Sequence, residues 1–251
     1  MKSTLSVVVI AFNEGKNIRS CLESAKWADE IVVVDSGSTD DTMLIAKDFT
    51  DKIISKKWEG YSTQKQFALD QANCDWVLSL DADERISPEL KTEIEKILAN
   101  GSIYDGYKIP RKNHLLGRWI KSCFWYPDQQ LRLFKKGKAS VTDVKVHEGF
   151  QIEGEAGTLN GDIIHLTYQN FFDTFDKVNR YSTLAAEDRA GKKRIKGRDL
   201  VFHPVAAFLT DFISRKGYKD GVYGLMIALI NMTTNLMMYM KMWEIQNRKN
   251  E

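Results

Sequence analysis

The sequence predicts an α/β fold. A parallel sheet is expected over residues 1–103, antiparallel or mixed sheet beside it over 104–168, and helices over 169–251. Three observations support this. Apolar β-branched runs alternate with segments of helical spacing up to Gly101, short β-like pieces separated by glycines follow Tyr104, and amphipathic helical spacing begins at Phe171. At 251 residues the chain suffices for one large α/β domain, or one domain with an appended module. Hydrophobic content of 43% and charged content of 28% are those of an ordinary folded protein, and a net charge of +2 makes no case for nucleic acid.

Leu5 to Ile10 reads as a buried first strand, after which Ile18, Cys21, Leu22 and Ala25 recur at helical spacing. Ile31–Val34 is the second strand, closing with Asp35. Ser38 and Asp41 are spaced as a capping box for the next helix. Ile53-Ile54 is a short third strand, and Gly60-Tyr61-Ser62 leads into a helix carrying Gln64, Lys65, Phe67 and Ala68. Strands joined by helices imply parallel pairing with right-handed crossovers, so the strand ends open on one edge, where such sheets bind ligands. Ser87 as N-cap with Pro88 at the first helical position starts a helix striped by Leu90, Ile94, Ile97 and Leu98, which Asn100-Gly101 stops.

The fourth strand, Trp76-Val77-Leu78-Ser79-Leu80, ends abruptly in Asp81-Ala82-Asp83-Glu84. In extended backbone Asp81 and Asp83 share a face, with Ala82 leaving the other side open. Two hard oxygen ligands at a strand's carboxyl end suit a divalent cation and its phosphates; the alternative is a solvated strand-to-loop junction. Asp35, at the end of the second strand, either accepts hydrogen bonds from a ribose or base edge or caps the Ser36–Asp41 turn. No G-x-G-x-x-G follows the first strand, which disfavours a dinucleotide, and no G-x-x-x-x-G-K-[ST] occurs, which excludes a P-loop.

Val7–Glu14, Ile31–Asp35 with Ser36–Thr42, and Asp81-Ala82-Asp83 together resemble glycosyltransferase family 2, enzymes of the GT-A fold that use nucleotide-diphosphate sugars. The likeness continues through Gln129–Phe134, Val146-His147-Glu148 and Ile164–Tyr168, a longer pattern similar to the subgroup containing lipopolysaccharide-core β-glucosyltransferases. It covers roughly residues 4 to 245, and its specificity lies in five weak motifs standing in order.

The resemblance implies roles by position. Ala11, Asn13, Glu14 and Asp35 would hold nucleobase and ribose, and Lys65 would lie near the nucleotide. Asp83 would ligate Mn²⁺ or Mg²⁺ bridging the diphosphate, with Asp81 nearer the ribose or a metal-bound water. An inverting transfer needs a base opposite the leaving group. Glu148 is the candidate, but the family commonly has an aspartate here, often after another acid, so His147 and Asp128 stay open. His165, ending a strand, either completes the metal shell or packs. Arg132 meets the diphosphate or an anionic acceptor, or is a salt-bridge partner. Trp119, Trp125 and Tyr126 form an acceptor wall or a loop packed on the core.

Residues 1–168 are thus expected to be the catalytic domain, 1–103 holding the nucleotide and 104–168 the acceptor. In the C-terminal part, Gly221–Met240 carries no charge and meets the length of a membrane span, yet Asn231, Thr233, Thr234 and Asn235 would be costly in lipid. Leu200–Ile213 is apolar, broken at His203-Pro204, and preceded by the basic run Lys192–Arg198. Helices lying on the inner membrane surface, a homo-oligomer contact and a buried core helix are the readings weighed above a full span. Three scattered cysteines fit reduced structural thiols, and the N-terminus lacks a signal-peptide pattern, so the cytoplasm is expected.

The expected activity is metal-dependent inverting transfer of a hexose, from a UDP-sugar, to a hydroxyl of a glycan or lipopolysaccharide-core acceptor. The rivals are a peptide or protein glycosyltransferase of the same fold, a sugar-phosphate nucleotidyltransferase, and a catalytically dead nucleotide-sugar-binding scaffold. The second rival would need a glycine-rich, arginine-containing loop where Ala11-Phe12-Asn13-Glu14 stands.

Overall fold

The computed structural model describes residues 2–142 and 149–248. Of these, 2–112, 128–142 and 149–165 form one compact unit, and 113–127 with 166–248 a second. In the first unit β1 (Leu5–Ala11), α1 (Ile18–Ala25), β2 (Glu30–Asp35), α2 (Thr42–Ala46), β3 (Ile53–Ser55), α3 (Tyr61–Asp70) and β4 (Trp76–Asp81) alternate. Their strands pair in parallel, with Val7 opposite both Ile31 and Leu78. Next in the chain come β5 (Glu84–Ile86), α4 (Pro88–Asn100), β6 (Gly106–Leu115), β7 (Arg118–Trp119, which belongs to the second unit), β8 (Asp128–Lys135), β9 (Ala139–Val141), β10 (Phe150–Ile152), β11 (Ala156–Thr158) and β12 (Ile163–Tyr168). The main sheet runs β3-β2-β1-β4-β8-β6-β12-β5, with β4–β8, β8–β6 and β12–β5 antiparallel and β11 added to β6 in parallel, so the mixed character expected from Tyr104 is present. The β-like piece Val144–Val146 lies outside the described residues.

Strand alternation divides the core. Leu5, Val7, Val9, Leu78 and Leu80 pack with Ile18, Leu22, Leu90 and Ile94 of the helices on one face. Val8, Val32, Val34 and Val77 meet Ala68 and Leu69 of α3 on the other. The α4 start is as expected: Ser87 Oγ accepts from Leu90 N at 3.2 Å, with Pro88 in the first turn. The expected capping box is absent. Ser38 Oγ is engaged with Asp35 and Asn13, so Asp40 accepts from Thr42 N at 3.1 Å and α2 starts at Thr42.

The second unit contains α5 (Phe171–Arg189), α6 (Asp199–Leu209), a π-helical turn Thr210–Ser214, a 3₁₀ turn Gly217–Asp220 and α7 (Val222–Arg248). α7 packs against α5 and α6. α5 is the helix predicted at Phe171; its apolar stripe reads from the sequence as Phe171, Phe172, Phe175, Val178, Tyr181, Leu184 and Ala185, and the face that packs is a different one. Thr174, Val178, Ser182 and Ala186 are buried while Phe171, Phe172, Phe175 and Tyr181 are exposed, because small side chains at four-residue spacing admit α7 closely. Lys241 of α7 reaches Ser182 Oγ at 2.9 Å and Thr183 Oγ1 at 2.7 Å. Pro204 does not break α6; it is buried inside the helix and leaves only the Leu200 carbonyl without its helical donor. Gly224 is required, since a Cβ there would lie 1.8 Å from the Gly217 carbonyl oxygen.

α7 is long and apolar enough to cross a membrane by length and composition alone. Its central polar groups are satisfied within the unit. Asn231 Nδ2 donates to Asp211 Oδ2 at 2.6 Å, and Thr233 and Thr234 donate to the Leu229 and Ile230 carbonyls at 2.9 and 2.8 Å.

At the end of the first sheet away from the strand carboxyl termini, Glu30 joins four segments. Its carboxylate takes Ser6 Oγ at 2.5 Å, Asn73 N at 2.8 Å and Lys52 Nζ at 2.8 Å. Burial alone would raise its pKa, but Lys52, Ser6 and the backbone and side-chain N–H groups of Asn73 win and hold it at about 2, against 4.5 for an ordinary glutamate. A depressed carboxylate stabilises above its unfolded pKa and loses that contribution as pH falls through the folded one. Thermal unfolding from pH 5 to 2 should therefore lose about 1–2 kcal/mol through this group, after allowance for solvent screening. Glu30→Gln should be less stable at pH 7 and flatter across that window; an unchanged acid profile would remove the role.

Candidate active site

Parallel pairing brings Ala11, Asp35 and Asp81 to one edge of the first unit, with Ala11 in register with Asp35 and Ile10 with Asp81. The β1 exit is specialised. Asn13 adopts a left-handed backbone (φ 54°), a conformation Asn tolerates better than most residues. Its N–H donates to Ser38 Oγ at 2.8 Å, and its Oδ1 accepts from Thr39 N at 2.8 Å. Asp35 is fully buried and accepts from Gly37 N and Ser38 N, both at 2.9 Å, and from Ser38 Oγ at 2.5 Å. Of the two roles weighed for it, capping the turn is the one its hydrogen bonds perform. Ala11 buries its methyl group in the core and offers its carbonyl, which accepts from Ser36 N at 2.9 Å. Glu14 starts α1: its carbonyl accepts from Ile18 N at 2.8 Å, and its side chain takes Asn17 Nδ2 at 2.8 Å.

The β4 exit holds the strongest electrostatics. Asp81 Oδ1 lies 3.1 Å from Lys65 Nζ, and Asp81 Oδ2 lies 2.7 Å from Arg132 Nη2. The same Arg132 nitrogen donates to Glu84 Oε1 at 2.8 Å; Arg111 reaches Glu84 at 3.2 Å and clasps Asp128 at 2.5 and 2.9 Å. Lys65, Arg111 and Arg132 thus interleave with Asp81, Glu84 and Asp128 in one charge-balanced chain. Burial alone would raise the Asp81 pKa; the Arg132 and Lys65 cations override it and hold the carboxyl well below the usual range. Arg132 is in turn raised: burial opposes its charge, and Asp81 and Glu84 more than restore it.

Asp81 and Asp83 do not share a strand face. β4 ends at Asp81, and Ala82 and Asp83 form a turn to β5, with Ala82 packed in the core rather than leaving an open side. Glu84 makes that turn by accepting from Asp81 N at 2.9 Å through its other oxygen. Asp83 faces His165 of β12, Oδ2 to Nε2 at 3.5 Å, both side chains about 15% exposed (15% and 14%).

No three His, Cys, Asp or Glu side chains among the described residues group as a full metal shell. Asp83 and His165 supply one oxygen and one nitrogen. That fits Mg²⁺ or Mn²⁺ held by few protein ligands with phosphates and water completing the sphere, and does not fit an all-protein cage. Arg132 Nη1 is buried and without a hydrogen-bond partner among the described residues, so it has a donor left over at this edge.

Glu84 was missed by sequence reasoning. Its signal is alternation, since Glu84 and Ile86 share a strand face and both are buried, with Arg85 between them less so. Arg111 was missed too, lying in a strand without distinctive pattern. Trp125 belongs to the second unit, half-buried and packed with Leu115, Ile120, Cys123 and Tyr168. Glu148 and His147 lie outside the described residues. The three cysteines are free thiols, and burial pushes the Cys21 and Cys123 thiols up, away from nucleophilic reactivity.

An open α/β sheet with charged side chains gathered beyond its strand carboxyl ends defines a ligand-handling α/β domain. Sequence comparison makes the class specific. The family model described as Glycosyl transferase family 2 matches residues 6–150. The lipopolysaccharide core biosynthesis glycosyltransferase LpsC of Rhizobium meliloti is 32% identical over 236 residues, covering 91% of this chain and 87% of LpsC. An uncharacterized glycosyltransferase of Rickettsia typhi, RT0209, is 34% identical over 240 residues, 90% of this chain and 82% of that one. The chain belongs to glycosyl transferase family 2 and is a glycosyltransferase of the GT-A fold. Among solved structures, S. aureus TarS is similar at 18% identity over 87% of this chain and 46% of that one, TM-score 0.49. The Mycobacterium tuberculosis glucosyl-3-phosphoglycerate synthase, in complex with Mg²⁺ and UDP, is 27% identical over 44% of each chain, TM-score 0.38. Likeness at those scores says nothing about the ligands of this chain.

The ion-pair chain generates a stability test. Arg132→Met strands two carboxylates and should cost about 3–5 kcal/mol in urea unfolding. Arg132→Met with Glu84→Gln should cost less than the sum of the single changes. Strict additivity would show that the pair does not interact.

Proposed function

We propose that the chain transfers a hexose, with inversion, from a UDP-sugar to a hydroxyl of a glycan or lipopolysaccharide-core acceptor in the cytoplasm, at the inner face of the cytoplasmic membrane. The observation that carries this reading is the buried Arg132 guanidinium, with Nη2 on Asp81 and Glu84 and Nη1 without a partner among the described residues, beside Lys65 and the Asp83–His165 pair. Such a site offers a guanidinium N–H with bonding capacity left over, and a metal ion at the Asp83–His165 pair would supply the positive charge that phosphates need. Support for the acceptor class comes from likeness to LpsC along most of its length.

In this reading the turn joining Asn13, Asp35 and Ser38 seats the nucleoside, and Arg132 and Lys65 hold the diphosphate. Asp83, the second acid of a D-x-D motif, and His165 would hold Mn²⁺ or Mg²⁺, whose charge neutralises the departing diphosphate. Glu148 accepts the proton of the acceptor hydroxyl; that oxygen bonds to the anomeric carbon as the bond from carbon to the phosphate oxygen breaks and UDP leaves. Asp128 is poorly placed for this proton, being clasped by Arg111 and by Gln130 Nε2 at 2.7 Å. That leaves Glu148, with His147 as the other candidate.

The test is UDP release from a panel of sugar nucleotides with and without Mn²⁺, paired with calorimetric binding. Glu148→Gln should retain donor binding and lose about 10²–10⁴-fold in turnover; full activity would transfer the role to His147. Asp83→Asn should weaken donor binding in Mn²⁺ and abolish its dependence on the metal. Equal uptake of sugar nucleotide by chelated and Mn²⁺-loaded protein would remove the metal. Binding without turnover across a broad acceptor panel would favour a dead scaffold, and no binding at all would remove the reading.

A further inference from the structure

We infer that the outward face of α6 and the π-helical turn after it is a docking surface for an anionic phospholipid bilayer. Val201, Val205, Leu209 and Ile213 follow one another at four-residue spacing, which lines them along one side of the helix. They are 61%, 41%, 45% and 58% exposed, and the adjacent Phe202 is 70% exposed. The segment 200–214 contains one carboxylate, Asp211, and that is buried against Arg215 and Asn231. An outward face this long, apolar and without exposed acid needs a cover.

Charge identifies the cover. Arg194, Lys196 and Arg198 are exposed just before α6, and Lys216 and Lys219 just after the π-helical turn. Two further cations there, Lys193 and Arg215, pair with Asp199 and Asp211. Arg215 also lies 4.5 Å above the ring of Phe124, which is exposed and adds an aromatic group to the rim. A second copy docking face to face would bring basic ends together or against uncharged surface, whereas anionic headgroups complement both ends and acyl chains the stripe. At 11 residues α6 is too short to cross a bilayer, so it would lie along the surface. The inference rests on the membrane-side location proposed above and specifies the surface responsible.

The test is co-sedimentation of the full chain with phosphatidylcholine vesicles, with and without phosphatidylglycerol, beside calorimetric UDP-glucose binding in solution. The wild type should sediment with phosphatidylglycerol vesicles only and be released by high salt. Val201→Ser with Phe202→Ser, and separately Arg194→Glu with Arg198→Glu, should each weaken vesicle binding by about tenfold or more. Both pairs should bind UDP-glucose as wild type does, which shows the fold intact. Phe202→Trp should shift its emission to the blue on adding anionic vesicles. Three results would overturn the inference: no sedimentation of the wild type, sedimentation indifferent to both pairs, or a concentration-dependent dimer that the same substitutions dissolve. Vesicle binding without sugar-nucleotide binding would sink the donor assignment while leaving this surface in place.

Discussion

The first unit depends on a guanidinium that cannot reach bulk water. Arg132 is 4% exposed on β8, and Glu84, fully buried at the start of β5, shares its nitrogen with Asp81 at the end of β4. Desolvating such ions costs several kcal/mol each, recovered only when every partner is in place. The arrangement therefore acts as a check on assembly. β4 and β8 must pair in the register Leu78 to Leu133, and the Ala82-Asp83 turn must close, before any of these charges is neutral. An apolar cluster at the same spot would stabilise the fold at less cost but could not position charge at the sheet edge.

That check also divides labour between two acids that look equivalent in the sequence. Asp81 is neutralised twice within the protein, by Lys65 and Arg132. Asp83, two residues further on, faces His165 at 3.5 Å. An incoming cation would have to displace two ion pairs to reach the Asp81 carboxylate. Difference in environment, not in residue type, assigns them different work.

The parallel half was readable because its signals are local. Leu5–Ile10, Ile31–Val34 and Trp76–Leu80 each carry their own pattern, and Ser87-Pro88 with Gly101 bound α4 without help from elsewhere. What was not readable is non-local. Glu84 and Arg111 matter through partners 48 and 27 residues away, in pairings that no window of sequence contains. Local rules also failed where a second partner outbid them: the Ser38 hydroxyl, spaced to cap α2, is claimed by Asp35 and Asn13. In α5 the aromatic residues drew attention to themselves, while the face that packs is the one made of small side chains.

The two units are informative through opposite violations of the same rule. Polar residues normally sit outside and large apolar ones inside, and a departure in either direction costs free energy unless something repays it. In the first unit charges are buried at the sheet edge, and their mutual pairing leaves Arg132 Nη1 without an acceptor among the described residues. In the second, aliphatic and aromatic side chains are exposed along α6 between basic ends. Neither departure is accounted for by the fold alone, since an apolar edge and a polar helix would fold at least as well. A donor carrying anionic phosphates would satisfy the first and an anionic bilayer the second. A transferase of the kind proposed, taking its donor from water and its acceptor from a membrane, would need both.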